Sequence, residues 1–358
     1  MRGPSGRVVA ATTAGRRIGL TRTGIEPELL AGWRAQAGSP ATLSDVLDDL
    51  DRRAHPVRLR CARTATAFRW DEPDVRTRAW VPQGITTSAD ARAGGTVHGR
   101  DLLAASWYLR TATGPDQSAR VSIVDLTDPA HPRYRHVLLV EPAREAGGLV
   151  GRPVPVHAGG IVWYGDLLYV ACTYEGLRVF DLRDLLRAEP AHEGFAYVLP
   201  QRWAYRPAYE PRDRLRFSFV SLDRTSTPHG LLAGEYGRGD NPAATRVVRF
   251  ALDPATGHPA GAGGVAEPTQ AFTLDVLSMQ GVACVDGTYY VSTSNGRYGR
   301  GHLWVGGPAR GFRRHRWVLP AGPEDLSVQP SRGLLWSLTE WPGRRAVFAL
   351  RTADWAGP

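Results

Sequence analysis

From about residue 56 onward the chain consists of short runs rich in Val, Tyr, Trp and Leu, broken by Gly, Pro and Asp, a pattern that predicts strands and turns. The preceding segment differs. Leu43, Val46, Leu47 and Leu50 follow the i, i+3, i+4, i+7 rule, and Thr42 and Asp45 stand at capping-box spacing, so residues 25–54 predict helix. The expected organisation is a short N-terminal helical extension over residues 1–55 and an all-β domain over residues 56–358.

The strand-like runs recur, and the recurrence points to the fold. One block opens with a small or polar residue before an apolar pair: Gln83-Gly84-Ile85, Gly159-Gly160-Ile161, Gln280-Gly281-Val282 and Glu324-Asp325-Leu326, with Ser218-Phe219-Val220 a weaker match. A second strand of shared shape follows each, at residues 102–108, 167–174, 231–236, 289–295 and 334–341. Third strands are predicted at 120–126, 177–182, 245–252, 301–305 and 345–351, and outer strands at 134–140, 195–199, 271–277 and 314–319. Four short antiparallel strands repeated about five times predict a β-propeller of five blades. The last repeat lacks an outer strand, and residues 57–70 are expected to supply it and close the ring. A β-sandwich with irregular hairpins shares this patterning, and residues 57–80 leave room for a degenerate sixth blade.

In a propeller the loop entering each innermost strand and the loop between second and third strands open on one face. That geometry gathers Gln83, His157, Ser218, Gln280, Glu324 and Asp325 near the axis, and Tyr108, Tyr174, Glu175, Glu235, Tyr236, Asn295, Glu340 and Trp341 around the rim. Aromatic walls with a few convergent polar groups are the make-up of a small-molecule site. His157, Glu324 and Asp325 are the candidate catalytic groups, since axial burial raises a carboxyl pKa toward useful acidity and an imidazole beside it can exchange the proton. Adjacent residues of a strand face opposite ways, so at most one of Glu324 and Asp325 enters the channel. Gln83, Tyr108, Tyr174, Glu235, Tyr236, Gln280, Asn295, Glu340 and Trp341 are the candidate substrate-binding set. Tyr174 and Trp341 are suited to stacking on a ring, whereas Asn295-Gly296 is also a turn signal. Gln83 and Gln280 with an axial carboxylate offer oxygen ligands to calcium, but the carboxylates are few, so no metal is expected.

Composition narrows this further. All 44 basic residues are Arg, and the net charge is +9. The Arg residues alternate with acids in runs such as 178–187, so the dense cationic stripe of a nucleic-acid binder is not expected. Cys61, Cys172 and Cys284 are too far apart to indicate a disulfide framework or a zinc site, and the last two lie in strand blocks as core thiols. Met1 to Leu20 contains no apolar run of the ~7 residues a secretory leader needs, and no stretch approaches the ~18 of a membrane span. A cytoplasmic, monomeric protein with no membrane partner is the expectation. There is no Gly-x-Ser-x-Gly elbow, P-loop, dinucleotide fingerprint or zinc-spaced His pair.

These observations favour a cofactor-independent lyase, cyclase or hydrolase acting by His and carboxylate acid/base chemistry, with glycoside cleavage by two carboxylates as one version. Two alternatives stand: a small-molecule or carbohydrate-binding propeller without catalysis, and an interaction platform using the blade sides or the N-terminal segment.

The blocks Val81-Pro82-Gln83-Gly84-Ile85-Thr86, His157-Ala158-Gly159-Gly160-Ile161, Ser218 to Arg224 with Pro228-His229, and Gly322-Pro323-Glu324-Asp325-Leu326-Ser327 resemble those of a group of uncharacterised actinobacterial β-propeller proteins. The resemblance runs over about residues 60–350. It implies a shared pocket without naming a substrate, because members of that group are usually exported and have no assigned reaction. This chain departs from the group in lacking an export signal, and that departure implies recruitment to an intracellular task such as specialised metabolism.

Overall fold

The computed structural model describes residues 8–9, 18–59, 63–111, 118–209, 215–237 and 245–355. Cys61 lies outside the described residues. The fold is an all-β propeller assembled from four-stranded antiparallel meanders. The first comprises Trp80–Thr87, Leu102–Leu109, Ala119–Asp125 and Arg133–Glu145. The second comprises Ile161–Tyr164, Leu167–Cys172, Gly176–Asp181 and Phe195–Pro207, and the third Phe219–Asp223, Gly230–Gly234, Arg246–Ala251 and Gln270–Leu274. The fourth comprises Met279–Val285, Thr288–Asn295, Gly299–Gly307 and Gly311–Ala321. In the fifth, Pro323–Gln329, Leu334–Thr339 and Val347–Arg351 are completed by Thr64–Arg69 from the N-terminal side, with Val347 opposite Phe68 and Phe348 opposite Ala67. The closing strand thus comes from the segment expected to provide it, and it ties the two ends of the domain together.

The second strands look apolar on both faces because both faces are buried. Along Leu102–Leu109, Leu102 and Ala104 enter a core shared with the second meander, while Leu103, Ala105 and Trp107 enter one shared with the fifth. Leu231 and Ala233 likewise face the second meander while Leu232 faces the fourth. Each gap between successive meanders holds one such cluster, including the gap between the fifth and the first. Period-two alternation therefore separates two cores rather than core from water.

The innermost strands neighbour one another in cyclic order around the axis. Their glycines explain the recurring small residue. A Cβ on Gly84 would stand 2.7 Å from the Ile161 amide nitrogen, and one on Gly281 would stand 2.7 Å from that of Leu326. One on Gly160 would collide with the backbone of Phe219 and Val220. Backbone packs on backbone at this level, so the axis is filled there and the cavity lies above it.

Residues 25–54 do not form one helix. Helices Pro27–Ala37 and Leu43–Asp48 flank a strand, Gly38–Pro40, that pairs with Leu186–Ala188. Gly38-Ser39-Pro40 is poor helix sequence and finds a sheet edge instead. The capping box does form, with the Asp45 N–H donating to Thr42 Oγ1 at 3.2 Å and the Thr42 N–H donating to Asp45 Oδ2 at 2.7 Å.

The N-terminal segment wraps around the outside of the propeller. Val8–Val9 pairs with the outer strand of the third meander, Leu20–Gly24 with that of the second, Arg52–Arg53 with that of the first, and His55–Pro56 with that of the fifth. Unpaired sheet edges template aggregation, and these pairings cover four of them. The outer strand of the fourth meander pairs, among the described residues, only with Gly299–Gly307, and it carries Arg313, Arg314 and Arg316, charges that discourage edge-to-edge association. Deleting residues 1–56 is expected to shift the protein from a discrete size-exclusion peak to aggregate; a discrete, soluble truncated species would show the wrapping to be dispensable.

Candidate functional site

One end of the axis opens into a cavity of about 1100 Å³. The loops entering the innermost strands bring His157, Ser218, Gln280 and Glu324 to it together with Gln83, and the turns after the second strands bring Tyr108, Tyr174, Glu175, Tyr236, Asn295, Glu340 and Trp341. Two of the sequence-predicted residues lie elsewhere.

Asp325 is fully buried beside the wall, not in the cavity. Its Oδ2 accepts the N–H of Ile85 at 3.2 Å and of Ile161 at 3.3 Å, clamping the first and second innermost strands to the fifth. Burial pushes this carboxyl far above its ordinary range against those hydrogen bonds, so it is held as the neutral acid. Asp325→Asn is therefore expected to keep the fold, and Asp325→Ala to cost about 1–3 kcal/mol in urea denaturation by orphaning two N–H groups. Equal losses in both would contradict the clamp.

Glu235 is also buried, and its carboxylate accepts both Arg246 guanidinium bonds at 2.7 Å together with the N–H groups of Arg216 and Arg246. It fastens a loop in the third meander. The polar residue at the end of a second strand was legible in the sequence, but whether its side chain turned to the cavity or to its own turn depended on local donors.

At the cavity floor, Glu324 is almost completely buried, and the Gln280 amide donates to its Oε1 at 3.3 Å. Burial, reinforced by the neighbouring Glu340 and Asp325 carboxyls, pushes its pKa well above the ordinary range. Glu340 is half-buried. Burial leaves it raised as well, although His157, Arg110 and Arg345 oppose that rise, as does a hydrogen bond from Gln83. One cavity thus holds two carboxyls that burial raises, Glu324 with no cation to oppose it and Glu340 with several, and that difference in surroundings is of the kind that separates an acid from a base. The His157 ring lies against Tyr108 at 4.2 Å between centroids.

Trp341 and the exposed Tyr174 both border the cavity, with Arg297 over the former at 5.9 Å and Arg216 over the latter at 5.4 Å. The Asn295 amide donates to the Arg300 carbonyl at 2.8 Å and lies against His302, so it secures its turn as well as bordering the cavity. Cys172 reaches the cavity wall with its thiol pushed up to about 11 by burial and the nearby Glu175. Arg216 and Arg297 went unrecognised in the sequence because Arg supplies every basic residue and so marks no position.

Gln280 donates an N–H to Glu324 and Gln83 donates one to the Pro82 carbonyl. Among the described residues, no group of three or more His, Cys, Asp or Glu side chains is placed to hold a metal ion. No described helix is long and apolar enough to cross a membrane.

Ser122 and His136 of the first meander and Asp74 of the short helix Glu72–Arg76 before it form a second polar cluster with the order of a hydrolytic triad. His136 Nε2 is 2.9 Å from Asp74 Oδ2 and His136 Nδ1 is 2.9 Å from Ser122 Oγ. It is sealed: all three residues are buried, and Trp107 Nε1 donates to Ser122 Oγ at 2.7 Å. Burial resists ionisation of Asp74, but His136, Arg120 and Tyr134 outweigh it and hold that carboxyl far below its usual range. Burial and the Arg120 charge pull His136 down to about 3. An imidazole with a lowered folded pKa contributes stability that is complete above its unfolded value and lost as pH falls toward the folded one. The stability difference between wild type and His136→Gln is therefore expected to be flat above about pH 6.5 and to shrink steadily toward pH 3. A difference independent of pH would contradict a neutral buried imidazole.

Fold and site together define a β-propeller with a carboxyl-floored, aromatic-rimmed cup. No family model and no curated protein matches the sequence. Similar solved structures include a GH43_1 enzyme from Xanthomonas citri, 12% identical over 77% of this chain and 88% of that one, with a TM-score of 0.38. A GH43 β-xylosidase/α-arabinofuranosidase from a compost microbial metagenome is 9% identical over 82% and 94%, with a TM-score of 0.41. The β-propeller domain of Cps50 (Swd1) from Myceliophteria thermophila is 12% identical over 77% and 98%, with a TM-score of 0.36. At this level of similarity the comparisons bear on the fold alone and carry no inference about the reaction.

Proposed function

We propose that the protein is a cofactor-independent acid/base hydrolase of a small, polar, ring-bearing substrate, seated in the axial cup of a five-bladed propeller, with a glycosidic bond as the bond cleaved. The observation that carries this reading is the pairing of Glu324, kept protonated by burial, with Glu340 in the same open cavity. A neutral carboxylic acid protonates a leaving-group oxygen, and a carboxylate opposite either attacks the sugar or activates water. Glu324 is the acid and Glu340 the nucleophile or base. Gln280 holds Glu324 in place through its 3.3 Å hydrogen bond, and Gln83 does the same for Glu340. Trp341, Tyr174 and Tyr236 supply faces on which a ring stacks.

His157 acts on Glu340 by charge. Its removal raises the Glu340 pKa, so in His157→Gln the acid limb of the kcat/KM profile is expected at higher pH than in wild type. An unmoved limb would reject that role.

A panel of aryl glycosides tests the reading: turnover of at least one member, lost in both Glu324→Gln and Glu340→Gln, supports it, and turnover that survives both substitutions rejects it. The second reading, carbohydrate binding without catalysis, is favoured by the exposure of Tyr174, 64% of its surface being open to solvent. It requires saturable binding with no turnover, lost in Trp341→Ala and Tyr174→Ala.

A further inference from the structure

Beside the cup, and sharing Arg297, Glu340 and Trp341 with it, lies a side pocket of about 460 Å³. Arg76, Arg78 and Arg110 complete its charged lining, so four guanidinium groups face a single carboxylate. Arg76 is paired with Glu72. Among the described residues, Arg78, Arg110 and Arg297 have no carboxylate within ion-pair distance, although Arg110 acts on Glu340 through space. The net charge of +9 does not account for this, since several buried or half-buried arginines elsewhere are neutralised: Arg120 by Asp74, Arg178 by Glu141, Arg246 by Glu235, Arg249 by Asp223. Like charges gathered around one concavity repel each other and focus a positive field into it. An anion placed there relieves the repulsion, and the planar guanidinium fork matches carboxylate, sulfate and phosphate oxygens.

Resting on the hydrolase reading above, we infer that the substrate carries an anionic substituent, a carboxylate, sulfate or phosphate, held in this side pocket while its ring lies in the cup against Trp341. Trp341 and Glu340 border both spaces, so a ring stacked on the indole puts one edge toward Glu340 and Glu324 and the substituent toward the arginines. Arg78, Arg110 and Arg297 are then positioning and specificity residues.

Isothermal titration calorimetry of the full chain with D-glucuronate, D-glucose, inorganic sulfate and inorganic phosphate, at fixed ionic strength, tests this. At least one anion is expected to bind about tenfold or more tightly than glucose, and Arg78→Ser/Arg110→Ser to lose about tenfold in that affinity. Arg144→Ser, an exposed arginine on a hairpin outside the cup, is the control and should leave affinity unchanged. The preferred anion identifies the substituent. No anion preferred over glucose, or an equal loss in the Arg144→Ser control, overturns the inference. The same titrations on Glu324→Gln separate it from the hydrolase reading, because anion binding must persist in that variant whether or not turnover depends on Glu324.

Discussion

Glu324→Gln is expected to lose turnover by about 10²–10⁴-fold while gaining stability at neutral pH. The two effects have one cause. In the folded protein the Glu324 carboxyl sits under the cup with its pKa raised well above the ordinary value, chiefly by burial and then by Glu340. Folding therefore favours the neutral acid, and the contribution of this group to stability is complete below its unfolded value of about 4.5 and lost as pH rises through its folded one. Above pH 4.5 the wild type loses about 1.4 kcal/mol per pH unit relative to a neutral amide at this position, until the folded pKa is reached. Gln is neutral in both states and close in shape, so the variant escapes that loss and cannot donate the proton that chemistry requires. Urea denaturation of both proteins from pH 5 to 8 should give a gap that widens with pH. A variant that is less stable at every pH would mean Glu324 is ionised and paired, and retained turnover would mean another group is the acid.

Gly160→Val is expected to cost about 3 kcal/mol or more, enough to prevent accumulation of folded protein. A side chain at this position meets backbone atoms of Phe219 and Val220, which cannot rotate away as a side-chain tip can. Relief requires the second and third innermost strands to separate, and that movement opens the clusters that bury Val162, Tyr169, Val220 and Leu231 between their meanders. Gly147→Val is the matched control, because nothing lies within 4 Å of a Cβ built there. Comparable melting temperatures for the two variants would contradict backbone contact as the closure of the ring.

The fold was legible because a propeller repeats its physics. Each second strand divides its residues between two cores, which leaves apolar runs such as Leu167 to Cys172, and three innermost strands meet their neighbours backbone to backbone, which leaves Gly84, Gly160 and Gly281 at those contacts. Ser218-Phe219-Val220 matched weakly because its third-meander strand begins at Phe219 and has no glycine there. The N-terminal wrapping was not legible. Two-residue pairings such as Arg52–Arg53 with Arg133–Tyr134 depend on edges supplied by residues far along the chain, and no local periodicity marks them. Within the site, the topology located the ring of candidates but not the direction of each side chain. Asp325 and Glu235 carry the right chemistry at the right strand ends, yet backbone N–H groups and Arg246 draw them inward. The importance of Glu340 lay in its company: the sequence separates it from His157, Arg110 and Gln83 by more than a hundred residues each, and only ring closure assembles them.

Infrared difference spectroscopy of the carboxyl C=O stretch at neutral pH, wild type against Glu324→Gln, tests the protonation state on which the proposed chemistry turns. Asp325 is present in both proteins and cancels. The expected result is a protonated carboxylic-acid band in wild type that disappears in the variant, with no change in the ionised carboxylate bands. Loss of ionised carboxylate intensity instead, with the acid region unchanged, would contradict a neutral Glu324 and remove the general acid from the cup.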